Sequence, residues 1–191
     1  MRIDIDQSGD PGRAFETLSN AYAPEIVRAA GNFSTQAYQH TKLTLREVEA
    51  ARYRTAQING CMVCMGFRAG RDFPQMFEGF GGDLESSVYR NGPAPDEEFY
   101  TQVGNWADWL GYSERERLAI RYAEGMGEAP REIAVDEAFW ARMKAAYSDA
   151  EIVDLTYCIG SWIANGRAAH VLGLDTACSF VGEGVQAEAA E

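Results

Sequence analysis

The chain has 191 residues, of which 46% are hydrophobic and 24% are charged, a composition typical of globular proteins. This length is sufficient for one well-buried domain, and four cysteines are too few for a disulfide-stabilised scaffold. A formal charge of −12 and an isoelectric point of about 4.6, without a cluster of lysine and arginine, disfavour nucleic acids and anionic membranes as partners. The sequence lacks an apolar run long enough for a transmembrane helix, and its start lacks the apolar core of a secretory signal. We therefore expect a cytoplasmic protein.

The N-terminal region is predicted to be irregular at first and then helical. Residues 1–12 are polar and are predicted to form an extended lead-in, in which residues 2–5 alone are compatible with a few residues of strand. A helix is predicted over residues 13–30, with an interruption near Pro24, which is tolerated in a first helical turn. A separate short segment is predicted for residues 34–40.

Three capping boxes predict where the principal helices begin. In a capping box, a serine or threonine side chain bonds the amide three residues on, and a glutamate there bonds back to the first amide. The boxes are Thr44 with Glu47, Ser113 with Glu116, and Ser148 with Glu151. The helices that they open are predicted to end at Asn59-Gly60, at about Met126 and at Gly173, and the third is apolar over a wide arc.

The segment between the first two boxes is predicted to contain shorter elements. A second helix that follows Cys61 is predicted to end at Phe73-Pro74, because proline interrupts helical hydrogen bonding. The glycine-rich residues 79–83 lack the Gly-Lys-Ser/Thr pattern of a phosphate-binding loop and are predicted to be a simple loop. A short helix is predicted for residues 83–90.

The remaining signals are also helical. Asp96 is predicted to cap a helix that carries apolar residues as far as Leu110, and Asp136 to cap another. These patterns predict an all-α, single-domain helical bundle over residues 13–181. The small and acidic residues 182–191 are predicted to be a flexible tail.

The first two capped helices resemble each other in sequence. Aligning Thr44 with Ser113 also pairs Arg46 with Arg115 and Glu47 with Glu116, and part of the pattern recurs after Ser148. Two explanations fit this echo: helices that share similar caps, or an old duplication of a helical hairpin.

The chemistry of the chain is concentrated in residues 49–68. Cys61 and Cys64 lie three residues apart at a predicted helix start, where they can close a disulfide and where free backbone amides favour a thiolate. The carboxylate of Glu49 lies twelve positions before Cys61, on the helix that leads into the pair. The pattern favours a redox site.

Simpler structural roles exist for the same residues. Buried, inert thiols would account for the cysteine pair, and Glu49 is placed to form an ion pair with Arg52 or Arg46. A zinc site would require two further ligands, and no second Cys-x-x-Cys pair is present. Cys158 is expected to fill the core. We expect neither a metal nor a cofactor.

Glu49, Cys61 and Cys64 at this spacing resemble the active-site signature of the carboxymuconolactone decarboxylase superfamily, in its alkyl hydroperoxidase D-like branch. The similarity extends over roughly residues 34–174, through the Leu-Thr-Leu-Arg-Glu and Tyr-Ser-Glu-Arg-Glu-Arg segments and the late Asn165-Gly166-Arg167. The resemblance implies an all-helical fold that assembles into a homo-oligomer, often a trimer or hexamer.

The resemblance also implies roles for the individual residues. In the peroxidase branch the second cysteine attacks the peroxide and the first resolves it, so Cys64 would be peroxidatic and Cys61 resolving. Glu49 would begin a proton relay to the thiol. An external dithiol or disulfide oxidoreductase would restore the reduced form, and the substrate would be a small molecule.

The chain differs from the complete signature at its two histidine positions. These positions, immediately before the second cysteine and four residues after it, hold Val63 and Arg68. On a continuous helix Arg68 would lie one turn beyond Cys64, where a guanidinium would stabilise a thiolate without accepting a proton. Glu49 would then take the proton, and Tyr53, one turn after Glu49, would donate a hydrogen bond to it. The structural alternatives are the commoner ones: a solvated helix face for Arg68 and a place in the core for Tyr53.

Three functions are consistent with these observations. The first is a thiol-dependent oxidoreductase that reduces hydroperoxides or exchanges disulfides. The second is a decarboxylase or isomerase of a small carboxylated lactone, which would require cationic anchors in a pocket. The third is a non-catalytic redox-sensing oligomer in which the cysteine pair switches packing.

Overall fold

The computed structural model describes residues 2–4, 18 and 20–174, and every regular element in these ranges is helical. The α-helices are α1 (Pro24–His40), α2 (Leu45–Asn59), α3 (Met62–Gly66), α4 (Ala69–Gly79), α5 (Glu97–Gln102), α6 (Glu114–Glu128), α7 (Pro130–Ile133), α8 (Glu137–Ala146) and α9 (Asp149–Leu172). Single 3-10 turns occur at Leu84–Ser86, Val88–Arg90 and Val103–Asn105. The predicted all-α class is therefore confirmed for the described residues.

All three capping boxes form as predicted. The side chains of Thr44, Ser113 and Ser148 each accept a hydrogen bond from the amide three residues on, and the glutamates at those positions bond back. The left-handed glycines Gly60 (φ 68°) and Gly173 (φ 73°) end α2 and α9 where the sequence predicted. These local signals fixed the ends of the long helices because each bond joins residues only a few positions apart.

The repeated residues of α2 and α6 bind each other. Arg46 donates from Nε to Glu116 Oε1 at 2.6 Å, and Arg115 donates from Nε to Glu47 in the reciprocal arrangement. Arg115 also reaches Glu151 at the start of α9, at 2.7 Å. The capping glutamates therefore have a second role, because they join the starts of the three long helices in one ion-pair cluster.

The core lies where α9 and α6 pack against α2. Its fully buried side chains include Val48 and Ala51 of α2, Leu118 of α6, and Leu155 and Ile159 of α9. Removing each large aliphatic side chain from water contributes about 1.5–3 kcal/mol to stability. Within the described residues, no helix is long and apolar enough to span a membrane.

The prediction of a break between residues 30 and 34 is wrong. Helix α1 continues through Gly31 to His40. An interior glycine costs only about 1 kcal/mol in a helix, and burial of Tyr38 against the rings of Phe73 and Trp162 fixes the final turns to the core. The predicted lead-in and helix before residue 18 lie largely outside the described residues, as do residues 182–191, and residues 2–4 form no strand.

The prediction that regular structure ends at Phe73-Pro74 is also wrong. The region after Cys61 forms two helices, α3 and α4, and α4 contains Pro74. Phe73 and Phe77 are both fully buried and stack at 4.9 Å, so their packing supports the turns on either side of the proline. Both rings also pack against Tyr38 of α1, and this burial in the core outweighs the hydrogen bond that proline cannot form.

Two other predicted helices are shorter than expected. Residues 83–90 form two 3-10 turns, because the Asp83 and Ser87 side chains each bond an amide two residues on. Asp96 caps α5 as predicted, but the helix ends at Gln102 and Leu110 is 92% exposed. The guanidinium of Arg117 instead binds the backbone carbonyls of residues 106, 107 and 109, which draws this stretch out of helical geometry.

Candidate functional site

The turn between α2 and α3 places the cysteine pair. Gly60 adopts left-handed backbone geometry and donates its amide to the carbonyl of Ala56, so the chain leaves α2 sharply. Cys61 follows as the N-cap of α3, and its Sγ accepts a hydrogen bond from the Cys64 amide at 3.3 Å. A cysteine sulfur that accepts such a bond is stabilised as a thiolate.

Cys61 and Cys64 form a disulfide, with their Cα atoms 5.3 Å apart. The two sulfurs have unequal access to solvent. Cys61 is fully buried, whereas Cys64 is partly exposed. An external reactant would therefore meet Cys64 first.

Cys61 is enclosed by apolar side chains from both ends of the described chain. Its cluster contains Val63, Ala169 and Leu174, with Ile3 and Leu18 packed against it. The last turn of α9 thus forms one wall of the cysteine site. This contact joins residues more than a hundred positions apart, and no local pattern in the sequence predicts it.

Glu49 is fully buried and bound by two partners. Arg52 donates from Nε to Oε1 at 2.6 Å and from Nη2 to Oε2 at 2.9 Å, and the Tyr100 hydroxyl donates to Oε2 at 2.7 Å. Burial opposes the charge of Arg52, but the Glu49 carboxylate outweighs burial and raises the pKa of the guanidinium. Burial, and then the charge of Glu49, raise the pKa of Tyr100. Glu49 is therefore a paired carboxylate, as the structural alternative anticipated.

Arg52 connects this pair to the cysteine helix. Its Nη1 donates to the carbonyl oxygen of Cys64 at 2.6 Å, and its Nη2 to that of Phe67 at 3.3 Å. The spacing in the sequence predicts Arg52 only as a partner for Glu49. The hydrogen bond from Arg52 to the Cys64 carbonyl forms because the turn at Gly60 brings α3 back against α2.

Arg68 is not on the same helix as Cys64, so the prediction that it lies one helical turn beyond Cys64 is wrong. Helix α3 ends at Gly66, and Phe67 is extended, with φ −70° and ψ 138°. The Arg68 guanidinium instead donates to the carbonyl of Met65 at 2.6 Å and to Glu97 at 2.8 Å. It also lies 4.4 Å from the centre of the Tyr100 ring.

The phenol that contacts Glu49 belongs to Tyr100 and not to Tyr53. Tyr100 also accepts a hydrogen bond from the Ala69 amide at 3.2 Å, so it joins α5 to the start of α4. The Asp96 cap is the sequence signal that could have located Tyr100, because it fixes the turn on which this buried aromatic residue lies. Tyr100 and Glu49 are 51 positions apart in the sequence, so no local pattern predicts their contact.

The two histidines lie in different surroundings. His40, at the end of α1, is within 3.1 Å of Gln36 Oε1. The ring of His170, in the last turn of α9, lies over Gly60, next to Cys61. Cys158 is buried in the core, as predicted.

A separate cavity of about 230 Å³ lies between α6 and α8. Its cationic lining side chains are Arg117, Arg121 and Arg142. Neither Glu49 nor the cysteine pair lines this cavity.

Comparisons with known proteins support the fold. Neither a protein-family model nor a curated protein matches the chain. A solved structure from Agrobacterium tumefaciens, a protein of unknown function assigned provisionally to antioxidant defence as an AhpD protein, superposes with a TM-score of 0.61. The two chains are 22% identical, and the match covers 82% of this chain and 92% of the other. The chain has the all-α, alkyl hydroperoxidase D-like fold, and it carries the Cys-x-x-Cys pair.

Proposed function

We propose that the protein is a thiol-dependent oxidoreductase in which Cys61 and Cys64 alternate between disulfide and dithiol. The observation that carries this proposal is the unequal exposure of the pair. Cys64 is partly exposed, whereas Cys61 is fully buried and its Sγ accepts a hydrogen bond from the Cys64 amide. Exchange of a disulfide proceeds most readily when the attacked sulfur is accessible and the departing sulfur is a stabilised thiolate.

In the reductive half, the thiolate of an external dithiol attacks Cys64 Sγ. The disulfide bond breaks, and Cys61 leaves with the electron pair as a thiolate. The second thiol of the reductant then attacks the mixed disulfide, which releases Cys64 and the oxidised reductant. The hydrogen bond from the Cys64 amide to Cys61 Sγ favours the first of these steps.

In the oxidative half, the substrate is a small organic hydroperoxide. The Cys64 thiolate attacks the terminal peroxide oxygen, the O–O bond breaks, and an alcohol departs after taking a proton. Cys61 then attacks the resulting sulfenic acid, and water leaves as the disulfide forms again. The same pair would exchange disulfides directly if the oxidant were another disulfide.

Glu49 acts in this scheme through Arg52. Because Arg52 holds both the Glu49 carboxylate and the Cys64 carbonyl, we assign the pair to positioning α3. Its three hydrogen bonds leave one lone pair on Oε1, which a proton-relay role for Glu49 would use. Arg68 contributes to the same end of the site through its bond to the Met65 carbonyl.

The partners are part of the proposal. An external dithiol or a disulfide oxidoreductase serves as the reductant, and the chain assembles as a homo-oligomer, either a trimer or a hexamer. Exposed apolar side chains on α9, Val153, Tyr157 and Val171, support self-association, because exposed apolar surface commonly marks an interface. Light scattering on the purified protein would give the subunit number.

The test is steady-state hydroperoxide turnover with a dithiol reductant. We expect Cys64→Ser to abolish turnover, and mass spectrometry of the reduced parent after hydroperoxide treatment to show the Cys61–Cys64 disulfide. Glu49→Gln should lower turnover in proportion to its loss of folded protein. Persistent free thiols after peroxide treatment would exclude the oxidoreductase.

The lactone decarboxylase or isomerase remains the second candidate. It requires cationic anchors, and three arginines line the cavity between α6 and α8 beside the carboxylate of Asp136. Arg117 already binds backbone carbonyls and Arg142 already binds Glu114, so Arg121 is the best anchor among them. That activity would survive Cys64→Ser and fall on substitution of Arg121. A redox sensor would instead change its assembly on oxidation without turnover.

A further inference from the structure

The buried sulfur of Cys61 needs a route for its proton. When the disulfide opens, Cys61 becomes a thiolate inside a cluster of apolar side chains, and apolar surroundings disfavour that charge. The Cys64 amide offers one hydrogen bond but cannot transfer a proton. Because Cys61 has no exposed surface, its proton cannot be exchanged directly with bulk water.

The structure brings an imidazole to this end of the site. A Cβ atom built on Gly60 would lie 3.1 Å from Cε1 and 3.2 Å from Nε2 of His170. Gly60 immediately precedes Cys61, and Ala169, the neighbour of His170, packs directly in the Cys61 cluster. The absence of a side chain at Gly60 therefore lets the ring approach the chain at the cysteine turn.

His170 also faces outward. Its side chain is exposed to solvent, although its ring rests on the turn that carries a fully buried cysteine. Imidazole is the side chain whose ordinary titration range lies nearest to neutral pH, so it both accepts and returns protons under physiological conditions. The ring thus lies beside the turn that carries Cys61, while its residue is exposed to solvent.

We propose that His170 is the proton-exchange residue of the cysteine pair, an inference that rests on the proposed dithiol–disulfide cycle. In the reductive half, the His170 imidazolium gives its proton to the departing Cys61 thiolate, directly or through a water molecule, and becomes neutral. In the oxidative half, neutral His170 takes the proton back as Cys61 attacks the Cys64 sulfenic acid, while the hydroxide leaves as water with a proton that the external dithiol released to solvent. The protons therefore balance over one cycle, and the electrons come from the external dithiol.

In this proposal the imidazole comes from His170 on α9, and not from a histidine within the cysteine motif. The positions at which the resembling signature has histidine hold Val63 and Arg68, and Arg68 is committed to Glu97 and to backbone carbonyls. His170 approaches the first cysteine from α9, and not the second from within the motif. It therefore serves the buried, resolving sulfur.

The test measures reduction of the disulfide without any peroxide. Oxidised parent, His170→Ala and His170→Gln proteins are mixed with excess dithiothreitol at one fixed pH near neutrality, and the rate of dithiol formation is followed. We expect the rate of reduction in both variants to fall about a hundredfold, the low end of general acid–base effects. Added free imidazole should restore most of the rate in His170→Ala, because the removed ring leaves space for it, and little in His170→Gln.

His40→Ala is the matched control, because it removes the other histidine from an exposed position on α1. It should be reduced at the parental rate, with or without imidazole. Parental rates in both His170 variants, or slow rates that imidazole leaves unchanged in His170→Ala, would overturn the proposal. If imidazole restores disulfide reduction in His170→Ala but the parent does not turn over hydroperoxide, the result counts against the peroxidase function alone.

Discussion

Arg52 grips Glu49 through two parallel hydrogen bonds while both side chains are almost completely shielded from solvent, with 5% and 0% of their side-chain surface exposed. The same guanidinium holds the carbonyl of Cys64. The carboxylate therefore reaches the cysteine helix through a cation and a backbone group. The Glu49–Arg52 pair therefore holds α3 in position, and its loss should lower the free energy of unfolding.

The first prediction concerns the loss of one partner from this ion pair. Glu49→Gln leaves a buried guanidinium without its counter-charge, and breaking a buried pair in this way costs about 3–5 kcal/mol. We expect the double variant Glu49→Gln with Arg52→Met to be less destabilised than the sum of the single variants. Urea unfolding of the four proteins gives the coupling energy.

Glu114→Gln is the control for that measurement. Glu114 pairs with Arg142 at 2.7 Å, but both side chains are more than half exposed, so its loss should change stability by less than about 1 kcal/mol. A fully stable Glu49→Gln protein without turnover would contradict the supporting role and would favour Glu49 as a proton acceptor.

The second prediction concerns Tyr100. Its hydroxyl donates to Glu49 and accepts from the Ala69 amide, so Tyr100→Phe removes two buried hydrogen bonds. We expect a loss of about 2–3 kcal/mol, because one of these bonds involves a charged group. Tyr89→Phe removes a hydroxyl from a half-buried ring that stacks on Phe73, and it should unfold at the parental urea concentration. Equal stability of the two variants would show that the contact with Glu49 is dispensable.

The third prediction concerns the buried thiol of Cys158. Burial, and then the charge of Asp154, raise its pKa from 9.0 to about 12. The folded protein therefore keeps this proton over a range in which the unfolded chain loses it, and the stability from this group falls as pH rises above 9. The slope approaches about 1.4 kcal/mol per pH unit for one such group.

Cys158→Ala isolates this contribution. The difference in unfolding free energy between parent and variant should shrink as pH is raised from 8.5 to about 10.5, measured in urea. Because every other titrating group is common to both proteins, their difference reports Cys158 alone. A pH-independent difference would mean that the thiol titrates normally in the folded state.

The fourth prediction concerns the acid limit of stability. The hydrogen bond from Arg115, and then those from the Ser148 amide and hydroxyl, lower the pKa of Glu151 from 4.5 to about 2. The stabilisation is therefore complete above pH 4.5 and is lost as pH falls toward 2. Glu151→Gln should be about 1 kcal/mol less stable than the parent at pH 7, and this difference should disappear at low pH.

Ser148→Ala provides an intermediate case for Glu151. It removes the hydroxyl partner of the carboxylate but keeps Arg115, so its acid-induced loss of stability should lie between those of the parent and Glu151→Gln. Thermal unfolding between pH 2.5 and 7 measures all three proteins. Identical acid profiles would show that the helix cap has no electrostatic role.

Four features could be predicted from the amino-acid sequence alone: the helical class, the three capping boxes, the glycine ends of α2 and α9, and the placement of Cys61 at a helix start. Each of these features depends on hydrogen bonds or backbone angles shared by residues within about four positions, so chain neighbours are sufficient to specify them. The Cys-x-x-Cys pair is equally local, because three residues span the distance that a disulfide requires.

The surroundings of those local features depend on contacts between distant segments, and the sequence did not predict them. The contact of Tyr100 with Glu49, the diversion of Arg68 to Glu97 and the approach of His170 to Gly60 all join separate elements. The helical turns around Pro74 likewise persist because Phe73 and Phe77 pack in the core. In each case the free energy comes from burial, charge and packing between distant segments, and these terms exist only once the chain has folded.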